Sequence, residues 1–128
     1  WRLTRFISHA VGGENRFDGK AQFTRSGRRL IIDEDGLLTG LPGQPELKAT
    51  RRYFWVQEDD RIEVFFDDMR SFHHIPLNVA QPDAQHFCAP DQYRVAYDFS
   101  DLTNWTAVWR VRGPKKNYVM ESTFSRDP

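Results

Sequence analysis

With 128 residues, the chain is long enough to bury a full core as one domain, 1–128, without disulfide or metal staples. Basic and acidic side chains both number 18, so no bulk field favours nucleic acid, an acidic partner or an anionic membrane. A lone cysteine fits a reducing compartment, no apolar run nears the ~20 residues of a membrane helix, and nothing resembles a signal peptide, so a soluble cytoplasmic protein is expected.

Leu3, Phe6, Ile7, Ala10 and Val11 recur at helical spacing before Gly12-Gly13, which predicts a short N-terminal helix closing one end. From Phe17 onward the period is two. Phe17, Gly19, Ala21 and Phe23 alternate with polar residues, and Ser26-Gly27 makes a turn inside a basic tip (Arg25, Arg28, Arg29) expected to be solvated. Arg29 to Thr39 forms the next strand, with a bulge or tight turn expected at Asp33-Glu34-Asp35-Gly36. Gly40 to Pro45 is loop by composition. Arg51, Tyr53 and Trp55 then share one face, and Glu58-Asp59-Asp60 turns into Ile62, Val64 and Phe66. Asp67-Asp68-Met69 turns again into a strand carrying Phe72, His73 and His74. After a polar connection come the His86 strand, then Tyr93, Val95, Tyr97 and Phe99, then Trp105, Ala107, Trp109 and Val111, then Tyr118, Met120, Ser122 and Phe124. Gly113-Pro114-Lys115-Lys116 lacks the glycine spacing and following helix of a phosphate loop and is a hairpin turn.

About eight or nine short strands joined by turns predict an all-β, antiparallel up-and-down barrel rather than a sandwich. A barrel of that size is either filled by side chains or holds one small ligand. The ten Phe, four Trp and four Tyr supply a large aromatic inner face for either outcome.

Several segments also resemble a domain-of-unknown-function family with a calycin-like, lipocalin-like barrel. They are Trp1 to Arg5, Phe17-Asp18-Gly19, Arg52-Tyr53-x-Trp55, Phe72-His73, His86-x-Cys88-x-x-Asp91-x-Tyr93, the Trp109 to Tyr118 run and Phe124-x-Arg126. Asp67 to Arg70 departs from that pattern, where the family has a tighter turn. The Gly-x-Trp of true lipocalins is absent. The resemblance implies that Trp1 and Arg126 pack across the closed end, guanidinium over indole. It implies a fold and a cavity, and no activity.

Three constellations carry chemistry. His86, Cys88 and either His73 or His74, with Asp91, are ligand types for zinc, but their spacing matches no metal signature, and neither a metal nor another cofactor is expected. His86, Asp91 and Tyr93 form a candidate acid–base set, since histidine titrates near neutrality and an adjacent acid can fix its tautomer. Arg51, Tyr53, Trp55, His73, His86, Tyr93, Tyr97, Trp105, Trp109, Lys116 and Tyr118 form the candidate lining of a ligand pocket, an inward arginine favouring an anionic head group. By phase Arg51 is the inward choice, whereas the resemblance singles out Arg52. The expected function is binding of a small, partly apolar molecule. The alternatives are an isomerase, cyclase or dehydratase using His86, Asp91 and Tyr93, and an interaction domain with a packed core. Neither nucleic acid nor membrane is an expected partner, and no residue pattern sets an oligomeric state.

Overall fold

A computed structural model describes residues 1–126, all in strands and turns. The strands are β1 (Arg2–His9), β2 (Glu14–Ser26), β3 (Arg29–Thr39), β4 (Leu47–Glu58), β5 (Arg61–Phe66), β6 (Ser71–Pro76), β7 (Asp83–Cys88), β8 (Asp91–Asp98), β9 (Asn104–Arg112) and β10 (Asn117–Ser125). They form one antiparallel sheet in the order β6-β5-β4-β3-β2-β1-β10-β9-β8-β7. Each strand pairs with its sequence neighbour except at one place. The first and last strands pair with each other, and the ladder is open between β6 and β7, so the barrel is nearly closed, with a seam there. Among the described residues no helix is long and apolar enough to cross a membrane.

The expected N-terminal helix is absent: the segment is strand β1, and the described residues form ten strands rather than the expected eight or nine. Leu3, Arg5 and Ile7 point inward, while Phe6 is 45% exposed and Val11 93% exposed, so the apparent helical stripe joins residues from both faces. An inward arginine hid the period of two. Phe6 stays on the outer wall beneath Arg16, whose guanidinium carbon lies 5.0 Å from the ring centroid.

The expected break at Asp33 to Gly36 does not occur either, because β3 pairs with β2 in unbroken register across it. Asp33 points outward to Arg52 at 2.6 Å, and Glu34 points inward and is buried. Gly36 faces Gly19 across the ladder, and the Phe17 ring fills the space above it. A Cβ on Gly36 would lie 2.7 Å from both the Gly19 Cα and Phe17 Cζ. Gly36→Val is therefore expected to destabilise the fold by about 2 kcal/mol or more, read as a lower urea midpoint, because neither backbone nor ring has room to move. An unchanged midpoint would mean that the strands can spread here.

The end of the barrel where β1 starts and β10 finishes is plugged by aromatic side chains. Trp105 stacks on Phe124 at 4.0 Å and 7°, and Phe23 and Trp1 meet Trp105 edge-on. Leu3 beneath them is fully buried. Arg126 holds its guanidinium 5.8 Å from the Trp1 ring, as the resemblance implied, and its N–H donates to the Thr103 carbonyl at 2.9 Å. The Trp1 carbonyl accepts from the Ala21 N–H at 3.0 Å, so both chain ends are tied into this plug.

Candidate functional site: an aromatic cavity open at one end

Above the plug the barrel is hollow. The cavity measures about 1100 Å³, and its lining reaches the turn after β5, at Asp67 and Arg70, and the end of β7, at Phe87 and Cys88. Pockets for drug-sized molecules run from about 300 to 1,000 Å³, so the interior is not filled by its own side chains and the packed-core alternative fails. Of the sequence-chosen lining set, Arg51, Tyr53, Trp55, His73, His86, Tyr93, Tyr97, Trp105, Trp109 and Tyr118 border the cavity, and Lys116 does not.

A β-bulge builds the wall at the seam. The β5–β6 register slips between Val64 and Phe65, so that Val64 pairs with His73 while Phe65 pairs with Ser71. The residue left over is Phe72. Both Phe72 and His73 consequently border the cavity, and His74 is exposed. Phe72 stacks on Phe66 at 4.3 Å and on Trp109 at 5.0 Å, and His86 meets it edge-on at 5.2 Å. The turn before it has Met69 at φ 68°, which the Asp68 carboxylate holds by accepting from the Arg70 N–H at 3.0 Å.

His73 is 6% exposed, and its Nε2 lies 2.8 Å from the Tyr97 hydroxyl while its Nδ1 has no partner. Burial first, and then the neighbouring His86 and His74, push its pKa down to about 3, so it is neutral at physiological pH. Burial first, then Tyr53 and Glu34, pushes the Tyr97 hydroxyl up as well. Histidine and tyrosine thus form an uncharged hydrogen-bonded pair at depth.

The opposite wall carries a polar group that the sequence reading missed. Arg5 grips Glu34 with two hydrogen bonds, at 3.0 and 3.3 Å, and donates through Nε to Ser122 Oγ at 2.7 Å. The pair is largely enclosed, with side-chain exposures of 15% for Arg5 and 5% for Glu34. Arg5 lies within the segment whose spacing predicts a helix and Glu34 within the expected turn, so neither is assigned a face by pattern. The usable signal was phase, since Arg5 lies two residues from both Leu3 and Ile7.

Arg51 stands opposite Glu34 in the β3–β4 ladder; both Arg51 and Arg52 border the cavity and are exposed, but Arg52 is paired with Asp33. No carboxylate pairs with Arg51 among the described residues. Burial first, then Glu34 and Tyr93 respectively, pushes the Tyr53 and Tyr118 hydroxyls up, opposed by Arg5 and by Lys116 and, after them, by Arg51.

The stretch from His86 to Tyr93 divides. His86 turns inward to the Phe72 and Phe66 rings, with Tyr93 at 5.9 Å. Asp91 instead lies against Gly113 and accepts from Lys116 at 3.3 Å. Lys116 also donates to the Tyr93 hydroxyl at 3.0 Å, and that bond first, then Asp91, pushes its pKa up. No hydrogen bond joins His86 to Asp91 among the described residues, so the expected acid–base set is not assembled. Lys116 and Asp91 bind the turn between β9 and β10 to the start of β8. Cys88 is an exposed thiol at the mouth, and among the described residues no group of three His, Cys, Asp or Glu is placed to hold a metal ion.

Against this geometry, the model of a family of unknown function, DUF6314, matches residues 1–126. The chain belongs to that family. No curated protein matches this DUF6314 member. Among solved structures it is similar to an S-type phycobiliprotein lyase from Guillardia theta, with a TM-score of 0.69 and 10% identity, over 100% of this chain and 86% of that one. At that identity the likeness is one of fold, and it agrees with a lipocalin-like barrel.

Proposed function

We propose that this barrel binds one small, largely apolar molecule carrying a single anionic group, with the anion at Arg51 and the apolar body against Tyr53, Trp109 and Tyr118. The observation that carries this is the pairing of the arginines that border an open cavity. Arg5 is neutralised by Glu34, Arg52 by Asp33 and Arg70 by Asp68, and His73 is uncharged, which leaves Arg51, exposed on the cavity wall, as the bordering arginine without a carboxylate partner among the described residues; the acids Asp35 and Asp67 also border the cavity. A guanidinium beside apolar surface favours carboxylate, sulfonate or phosphate groups through paired hydrogen bonds. Aromatic walls contribute affinity for the remainder of the ligand. The likeness to a phycobiliprotein lyase is compatible with a ligand-holding barrel. Proton-transfer catalysis gains no support from Asp91, which is occupied by Lys116 at the rim.

Two fluorescent probes of similar shape separate the terms. Anilinonaphthalene sulfonate carries the anion and N-phenylnaphthylamine does not. Arg51→Gln is expected to weaken the sulfonate about tenfold while leaving the neutral dye within about twofold, the scale of one charge-assisted hydrogen bond. If neither dye binds the parent protein, or if Arg51→Gln leaves both unchanged, the reading fails.

A further inference from the structure

The chain carries no formal net charge, but its charges are paired unevenly. On the outer wall Arg16, Arg52, Arg61 and Arg70 each lie within 2.9 Å of a carboxylate. Arg94, Arg110 and Arg112 are exposed and have no such partner among the described residues. Register gathers them in one block. Phe87 faces Gln92 and Gln92 faces Arg112 across β7, β8 and β9, and the next row is Gln85, Arg94 and Arg110. All six therefore share the outward face at the mouth end, and Lys115 in the following turn is a further exposed cation. The outward acids of these strands, Asp83 on β7, Asp98 on β8 and Glu121 on β10, sit further from the mouth, Asp83 and Glu121 in the outward row next to that of Arg94 and Arg110.

This arrangement does nothing for the fold. Like charges directly opposed across a ladder destabilise it, and Arg94 stands directly opposite Arg110. Beside the cations are apolar side chains in water: Phe87 is 69% exposed and borders the cavity mouth, and Val11 is 93% exposed in the turn after β1. That turn is joined to β10 by the Ala10 N–H donating to the Asn117 carbonyl at 2.9 Å, which places Val11 next to the same sector.

We propose that this sector of the mouth docks on an anionic lipid surface. Guanidinium groups pair with headgroup phosphates and carboxylates, and an exposed aromatic ring gains by entering the boundary between headgroups and acyl chains. Each Lys or Arg near such a surface strengthens partitioning about fivefold. An acidic protein or a nucleic acid would engage the arginines but gain little from Val11. A lipid surface uses both, and it brings the cavity mouth to the phase in which an apolar ligand dissolves. The zero net charge had argued against a membrane partner, and the distribution of that charge argues for one.

The test is sedimentation of the whole protein with phosphatidylcholine vesicles, with and without phosphatidylserine. Binding is expected to the serine-containing vesicles, weakened by salt, and reduced about fivefold by Arg110→Gln, about twenty-five-fold by Arg110→Gln with Arg112→Gln, and further by Phe87→Ser. The arginine variants should melt no lower than the parent, since a like-charge pair is relieved, which separates lost docking from lost folding. Failure of the parent to bind anionic vesicles at low salt, or full retention of binding by the double arginine variant, would overturn the proposal. Neither outcome bears on the Arg51 reading, which the dye pair measures without vesicles.

Discussion

Glu34→Leu is expected to destabilise the protein by about 3 kcal/mol, lowering the thermal midpoint by roughly 10 °C in a domain of this size. The effect comes less from the lost ion pair than from what remains. Arg5 would keep its place on the inner wall, 15% exposed, with Ser122 as its one remaining side-chain partner. An enclosed guanidinium without a counter-charge is costly, whereas an apolar pair of similar volume is not. Arg5→Met added to Glu34→Leu is therefore expected to recover most of the loss, and differential scanning fluorimetry on the three variants checks both steps. If Glu34→Leu alone proves neutral, cavity water hydrates Arg5 adequately. Arg5 would then be a second cation available to a ligand, and Arg51→Gln should weaken the sulfonate dye less in that background.

How much of this was legible in the sequence follows from what each signal depends on. Alternation found β8 and β9 because their inward residues are large and apolar, as with Trp105, Trp109 and Val111. It failed at β1 and in the middle of β3 for one shared reason. Arg5 and Glu34 are inward polar residues that satisfy each other across 29 positions of chain, and single-strand patterns contain no term for a partner on another strand. Each breaks its own strand's apolar period, which makes β1 resemble a helix and the middle of β3 a turn. Arg51 keeps the phase of Tyr53 and Trp55, which is undisturbed in β4, whereas Arg52 pairs with Asp33. His73 and His74 were left undecided for the opposite reason, since a bulge moves the phase by one and only the ladder records it.

The same limit applies to His86 and Asp91. They are five residues apart in a stretch that looks like one site, but the turn at Ala89-Pro90 separates them. His86 is then positioned by the barrel interior and Asp91 by Lys116 on another hairpin. Proximity in sequence indicated shared chemistry where the fold assigns one residue to the cavity and the other to holding two turns together.

His73 gives the stability of this barrel a pH dependence of predictable sign. Its pKa is 6.5 in an unfolded chain and about 3 when folded, because burial disfavours the imidazolium. Between those values the unfolded chain binds a proton that the folded one does not. Stability contributed by keeping His73 neutral is thus complete above about pH 6.5 and is lost as the pH falls toward 3. Across the full window the loss is on the order of 3–5 kcal/mol, at 1.36 kcal/mol per pKa unit. Carboxylates also titrate over part of this range, so the informative quantity is a difference between proteins. His73→Gln keeps a polar partner for the Tyr97 hydroxyl and cannot titrate. Urea midpoints of the two proteins are expected to converge as the pH is lowered from about 7 to about 4, with the parent losing more. Parallel profiles would show that His73 takes up its proton in the folded barrel, in which case the deep end of the cavity is not neutral and His73 is a second cation beside Arg51.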